Sequence, residues 1–338
     1  MAVETSGREQ RIVRDPAIIR MLPDGRRLHL HDGPIDLIIE ANGLPRAASA
    51  AYEAAAGRFV SILDELCSEL PLLRSQAREN SERPRGTVAR RMFAAVEAYC
   101  EHCFITPMAA VAGSVAETIL EAMLGAASLD RAYVNNGGDI ALHLAKHQSF
   151  KVGMVERPER PSLFGSLEIN AADPVRGIAT SGWRGRSFSL GIADAVTVLA
   201  DSASAADAAA TVIANAVNLP DHPGVTRIPA RNISPDSDLG DLLVTRAVEQ
   251  LSQLEVDTAL ENGLRVATTL RERGLIYSAA LCLQKCVRVL PATPATPTNV
   301  CRDGFLKSVV CSPDGSTGPS APEIHRELEL TGRTNPHA

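Results

Sequence analysis

A chain of 338 residues, 45 % of them apolar, has the length and composition of a globular protein with a substantial core. Aromatic residues are only 4 %, so Ala, Val and Leu must fill most of that core. The formal net charge of −6 leaves no basic excess, which argues against nucleic acid as a partner.

The first sixteen residues, MAVETSGREQRIVRDP, lack the apolar stretch of a signal peptide and read as a cytoplasmic start. Residues 1–15 are polar and expected to be flexible, with one folded domain over 16–290. Residues 18–39 read as a β-hairpin: Arg27-Leu28-His29-Leu30-His31 alternates, Asp32-Gly33-Pro34 turns, and residues 35–39 return. His29 and His31 share a strand face and are read as the polar side of a half-buried strand rather than as ligands. Tyr52, Ala55, Phe59, Ile62, Leu63, Leu66 and Leu70 recur at helical spacing. Residues 74–91 form a charged surface connection, and a helix is expected from Val88 to about His102.

Residues 105–127 are the longest apolar run, and Glu117 and Glu121 within it argue against a membrane span. The small residues of 105–113 lead into a helix bearing Val115, Ile119, Leu120, Met123 and Leu124, and allow a close backbone approach. Ala132-Tyr133-Val134 is a strand that runs into Asn135-Asn136-Gly137-Gly138-Asp139 and resumes at Ile140, so its glycines signal a bulge or a close approach. A proline-bearing loop follows at 157–164. Gly177-Ile178-Ala179-Thr180-Ser181-Gly182, with Arg176, Arg184 and Arg186 around it, has the composition of a phosphate-holding turn.

Residues 195–199 form a buried strand. Ser204-Ala205-Ala206-Asp207 then has the form of a helix start, with Ser204 placed to cap an Ala-rich helix that runs to Val217. Asp207 and Thr211 lie four apart on one helix face. Spacing alone favours a helix start with a solvated threonine; the alternative is that two hard oxygens at a helix start hold Mg²⁺. Residues 239–254 and 258–273 read as helices, and 275–290 as a closing strand. The proline-rich stretch 291–338 has no sustained periodicity and is expected to be disordered. The seven cysteines are scattered, which suits reduced, buried thiols. Cys100-x-x-Cys103 and the pair Cys282 and Cys286 lack the tight, repeated spacing of a zinc site.

Taken in order, VNNGGDIAL, GIATSG and ADAAAT resemble the ApbE-like superfamily of FAD-dependent protein flavinyltransferases. The LPDGRRLHLHDGPIDLII opening and the TPMAAVAGSVAE segment are similar to an uncharacterised cytosolic branch of it. The resemblance covers about residues 17–290. It implies an α+β fold, with mixed or antiparallel sheets packed against helices, that binds a flavin nucleotide such as FAD through Mg²⁺. By the same resemblance Asp207 and Thr211 fall on the metal-binding side chains, and the carbonyls of Ala210 and Val111 on the backbone ligands. Asn136, Gly137, Gly138 and Asp139 fall on the N-x-GGD strand, and Thr180, Ser181 and Gly182 on the TSG segment, with Arg186 beside it as a further nucleotide contact.

Two departures stand out. The stretch from Arg186 to Asp194 holds no histidine where the transferases carry H-x-x-D-P, so Asp194 or a substrate group would have to take the proton. Val111-Ala112-Gly113-Ser114 stands where the family has A-K-G-Y, without its cation and aromatic ring. The implied activity is Mg²⁺-dependent transfer of FMN from FAD to a Ser or Thr of an acceptor protein. The alternatives are a non-catalytic flavin or nucleotide-binding protein, acting as carrier or assembly factor, and another reaction on a small anionic substrate clamped by Arg176, Arg184 and Arg186. The expected partners are therefore a phosphate-bearing small molecule and an acceptor protein, in the cytoplasm, with a homo-oligomer also open.

Overall fold

Alternating apolar residues write the first strands, and helical spacing writes the elements that cover them. In the computed structural model, which describes residues 16–155 and 163–292, the chain begins with β1 (Ile18–Met21), β2 (Arg27–Asp32) and β3 (Ile35–Asn42). Helices α1 (Pro45–Ser68), α2 (Leu70–Leu73) and α3 (Thr87–Glu97) follow, then a 3-10 turn (Pro107–Ala110) and α4 (Val111–Ala126). Next come β4 (Arg131–Asn136), β5 (Asp139–Leu144), β6 (Ser149–Val155), β7 (Leu163–Asn170), β8 (Gly177–Ser181) and β9 (Ala195–Ala200). The last elements are α5 (Ala203–Ala216), β10 (Val225–Pro229), β11 (Leu243–Val248), α6 (Gln253–Glu272), β12 (Ser278–Leu283) and β13 (Cys286–Leu290). Antiparallel strands with helices grouped between them make an α+β protein, as the motifs imply.

The chain divides into two units. The first holds residues up to Gln148, with Arg176–Ile178 and Ser202–Ala205; the second holds Ser149–Val175, Ala179–Asp201 and everything from Ala206 onward. In the first unit β1 to β5 form an antiparallel meander, and β5 pairs with the first residues of β8 through Ala141↔Gly177 and Ile140↔Ile178. Leu28, Leu30, Ile35, Leu37 and Ile39 point to one face, as period two requires. Ala51, Ala55, Phe59, Ile62 and Leu66 of α1 and Val115, Ala116, Ile119 and Met123 of α4 complete that core. The run Pro107–Ala126 is long and apolar enough to cross a membrane by composition alone. Its burial in this core accounts for its apolarity.

In the second unit β9 is buried along its whole length and pairs with β12, and β12 with β13. The β6–β7 and β10–β11 pairs stand as separate two-stranded sheets. Helix α6 starts on a capping box in which Ser252 and Glu255 bond each other's backbone N–H groups.

Several expectations need correction. The glycines after Asn136 do not bulge one strand; they turn between two, with Gly137 at φ 65°, Gly138 at φ 117° and Asn136 opposite Asp139. The stretch 239–254 is not a helix but carries β11, paired to the unforeseen β10. Residues 275–290 fold as a hairpin rather than one strand, turning at Gln284 and Lys285. Helix α3 stops at Glu97, short of His102. Among the described residues Cys282 and Cys286 are buried, Cys67 and Cys103 are exposed and Cys100 is half-buried, and none of the five is in a disulfide. The N-terminal 15 residues, positions 156–162 of the proline-bearing loop and the stretch beyond Ala292 lie outside the described residues.

Candidate functional site

The motif residues of the first unit gather around the start of α5. A Cβ on Gly113 would lie 2.3 Å from the carbonyl oxygen of Ala203, and one on Gly177 would lie 2.0 Å from that of Ser202. Both positions therefore require glycine, and together they hold the Ser202–Ala203 link from two sides. The cap is Ser202, not Ser204: its Oγ accepts the N–H of Ala205 at 3.3 Å.

Ser204 has a different task. Its N–H donates to Glu117 Oε1 at 2.9 Å and its hydroxyl to the same carboxylate at 3.2 Å. Arg91 holds Glu117 through Nε at 2.9 Å, donates from Nη1 to Thr118 Oγ1 at 2.8 Å and pairs with Glu121. A carboxylate at a helix start meets both the open N–H groups and the positive end of the dipole. Sequence reading used Glu117 only to argue against a membrane span. A charge within an apolar helix was itself the signal of a partner.

The β4–β5 turn reaches the lead-in of α4. The Asn136 side chain, 5 % exposed, donates to the Ala112 carbonyl at 3.2 Å, and Asn135 Oδ1 accepts the Gly138 N–H at 2.8 Å. Asn136 is thus joined to the Val111–Gly113 backbone. The buried Ser114 hydroxyl has no hydrogen-bond partner among the described residues.

The second unit holds the other motif residues. Gly182 lies so close to β9 that a Cβ would come within 2.4 Å of the Asp194 carbonyl oxygen. Asp194 has a side chain only 2 % exposed, and both its oxygens are engaged. Oδ1 accepts Arg184 Nε at 2.5 Å and Oδ2 accepts the Gln284 N–H at 2.6 Å. The Arg184 guanidinium also stacks over Trp183, 4.3 Å from the ring centre. Arg186 is exposed, Ser181 is half-buried, and Thr180 shares a 2.9 Å hydrogen bond with Thr197. Asp194 therefore ties Arg184, just after the TSG segment, to the β12–β13 turn.

Along α5, Ala206, Ala208, Ala209, Ala210, Ile213 and Ala214 are buried, while Asp207 and Thr211, one turn apart, remain partly exposed. A carboxylate, a hydroxyl and the Ala210 carbonyl are three hard oxygens, a donor set that fits Mg²⁺ when other oxygens complete its shell. Among the described residues no cluster of three or more His, Cys, Asp or Glu could hold a metal, so a cation here would need such outside oxygens. Two surface depressions, one lined by Glu69 and Arg85 and another by Asp257 and Arg288, involve none of the motif residues.

A protein-family model described as "AbpE bacteria" matches residues 19–289. A UPF0280 protein from Methanothermobacter thermautotrophicus is 41% identical over 118 residues, which cover 35% of this chain and 44% of that protein. Another, from Methanocella arvoryzae, is 41% identical over 131 residues, 38% of this chain and 50% of its own. The chain thus spans about half the length of the curated relatives it matches. Among solved structures, the ApbE protein of Thermotoga maritima aligns with a TM-score of 0.39 at 11% identity, over 82% of this chain and 96% of its own. The flavin transferase ApbE of Vibrio cholerae, in a mutant form, aligns with a TM-score of 0.34 at 12% identity, over 82% and 97%.

Proposed function

Because the chain belongs to the family described as "AbpE bacteria", we propose that it binds a flavin nucleotide of the FAD type with Mg²⁺ and passes FMN to a Ser or Thr of an acceptor protein. The observation that carries this is the partial exposure of Asp207 and Thr211, one turn apart, on a helix whose Ala206, Ala208, Ala209, Ala210, Ile213 and Ala214 are buried. Asp207, Thr211 and the Ala210 carbonyl would hold the cation. When bound, Mg²⁺ neutralises charge on a pyrophosphate. By family resemblance the Thr180–Gly182 turn is the proposed nucleotide contact of the second unit, and the Asn136–Asp139 turn and the Val111 carbonyl are those proposed for the first. Arg186, exposed and not bonded to Asp194, is the cation proposed to meet a phosphate in the second unit. The free thiols suit a cytoplasmic setting.

One observation favours a second reading, flavin binding without transfer. Asp194, the carboxylate expected to take the acceptor's proton, is already bonded to Arg184 and Gln284. On the first reading the acceptor hydroxyl must lose its proton to another group, or Arg184 must swing away.

The test is incubation of the purified protein with FAD and Mg²⁺, with and without candidate acceptor proteins. Release of AMP supports transfer; retained flavin without AMP supports the second reading. Absence of both would overturn the nucleotide assignment. Asp207→Asn should abolish nucleotide-dependent Mg²⁺ binding, read by calorimetry, and leave the fold intact. A variant that binds both as the parent does would remove Asp207 from the site.

A further inference from the structure

Cys100-Glu101-His102-Cys103 is the one motif of the sequence that the proposed flavin chemistry leaves unused. It sits in the first unit, directly after α3. The Tyr99 carbonyl accepts the N–H groups of His102 at 2.9 Å and Cys103 at 3.1 Å, so the chain continues for one more helical turn beyond Glu97. Residues three apart in such a turn share a face, with Cβ atoms about 5–6 Å apart. A small inward rotation brings that separation into the range of a disulfide. Tyr99, 3 % exposed, anchors the turn in the protein, while Cys103 is exposed and Cys100 half-buried. Backbone bonds alone close the turn, so joining the sulfurs requires no refolding.

We propose that Cys100 and Cys103 form a redox-active dithiol that exchanges with small-molecule disulfides of the glutathione class. Cys100 is the attacking sulfur. The Arg83 guanidinium lies within electrostatic reach of it, where a cation can attract an anionic disulfide such as oxidised glutathione. Arg83 is steadied by Glu97 at 2.5 Å and by the Phe93 ring, 4.6 Å from its centroid. Glu97 and Glu101 set negative charge near the same turn, and His102 lies between the two sulfurs in sequence. Cys103 is the resolving sulfur: although the residue is exposed, partial desolvation of its sulfur, and then the charge of Cys100, push its thiol up from its ordinary value, and its Sγ donates to the Tyr99 carbonyl at 3.7 Å.

In the first step the Cys100 thiolate attacks oxidised glutathione, forming a mixed disulfide and releasing one glutathione thiolate. In the second, the Cys103 thiol loses its proton and its sulfur attacks Cys100 Sγ, releasing a second thiolate. Two protein thiols are oxidised, one glutathione disulfide is reduced to two thiols, and the protons pass through water to the leaving thiolates.

The test uses the full reduced chain in defined mixtures of reduced and oxidised glutathione, followed by alkylation and peptide mass mapping. The parent should show an internal Cys100–Cys103 disulfide with little glutathione retained. Cys103→Ser should trap glutathione on Cys100, several-fold more than Cys100→Ser traps on Cys103. Thermal melts of the two variants should match the parent, since neither side chain is in the core. Four results would overturn the proposal: both thiols alkylated in a mixture that oxidises dithiothreitol, pairing of either with another cysteine, equal trapping in the two variants, or stoichiometric zinc uptake by the reduced chain that the variants abolish.

Discussion

Glu117 and Ser204, 87 positions apart in the chain, are joined by two donors of one residue on one carboxylate, the N–H at 2.9 Å and the hydroxyl at 3.2 Å. Glu117→Ala would leave half-buried Arg91 without the more buried of its two carboxylate partners and the first turn of α5 without its acceptor. The expected cost is about 2–3 kcal/mol, read as a lower denaturant midpoint at unchanged slope. Combining it with Arg91→Ala should cost less than the two single losses together, because both remove the same ion pair.

The glycine clasp gives a sharp contrast. Gly113→Ala and Gly177→Ala each place a methyl group against backbone that cannot retreat, at 2.3 and 2.0 Å. Each should lose about 3 kcal/mol. Gly57→Ala in α1 meets nothing within 4 Å and should gain about 0.5–1 kcal/mol. Thermal melts of the three variants check the ordering; a tolerated Gly113→Ala would show that α4 can shift at its start.

The β12–β13 turn carries positive φ at two side-chain-bearing residues, Gln284 at 46° and Lys285 at 70°. That conformation costs roughly 1–2 kcal/mol per residue without glycine. The Asp194 carboxylate, through the Gln284 N–H, and the Gln284 side chain, through the Leu251 N–H and the Glu249 carbonyl, hold it in place. Lys285→Gly should therefore raise the melting temperature. Asp194→Asn should lower it and release Arg184 from Trp183. Because Trp183 is the only tryptophan of the chain, its emission should shift in Asp194→Asn and stay constant in Lys285→Gly.

Two carboxylates held furthest below their ordinary values contribute to the acid limb of stability. The N–H groups of Arg26 and Arg27 hold Asp24 down to about 2, and the His222 ring, with Ser252, holds Glu255 down to about 2. A depressed carboxylate adds stability above its unfolded value, near 4, and that share is lost as pH falls toward 2. Melting temperatures from pH 5 to pH 2 should thus fall less steeply in Asp24→Asn and Glu255→Gln than in the parent. Equal slopes would mean these groups are not held down.

The sequence displayed the first unit well because its periods are clean. The alternation over residues 27–39 and the helical recurrence from Tyr52 to Leu66 each had one interpretation. It misled where a segment carried mixed signals. Residues 239–254 contain Leu242, Leu243, Val244 and Val248 at spacings that a helix and a strand share, and the partner that decides between them, β10, holds only five residues. The motif glycines were recognised as close approaches at 105–113. What they approach, the backbone of Ser202 and Ala203, is a long-range fact that no local pattern carries. Ser204 likewise satisfied the capping pattern, but Ser202 took the cap once Glu117 claimed the Ser204 hydroxyl.

The chain crosses between its two units repeatedly, and short pieces of the later sequence, Arg176–Ile178 and Ser202–Ala205, belong to the earlier unit. The halves are therefore not separable genetic modules. A fragment ending at Gln148 would carry Gly113 and Glu117 with nothing to grip, and would expose the edge of β5 where Gly177 and Ile178 pair. An insertion between Val175 and Ala206 would disturb the first unit as much as the second. For recombination and for tagging, the first unit is complete only when the later pieces Arg176–Ile178 and Ser202–Ala205 are present.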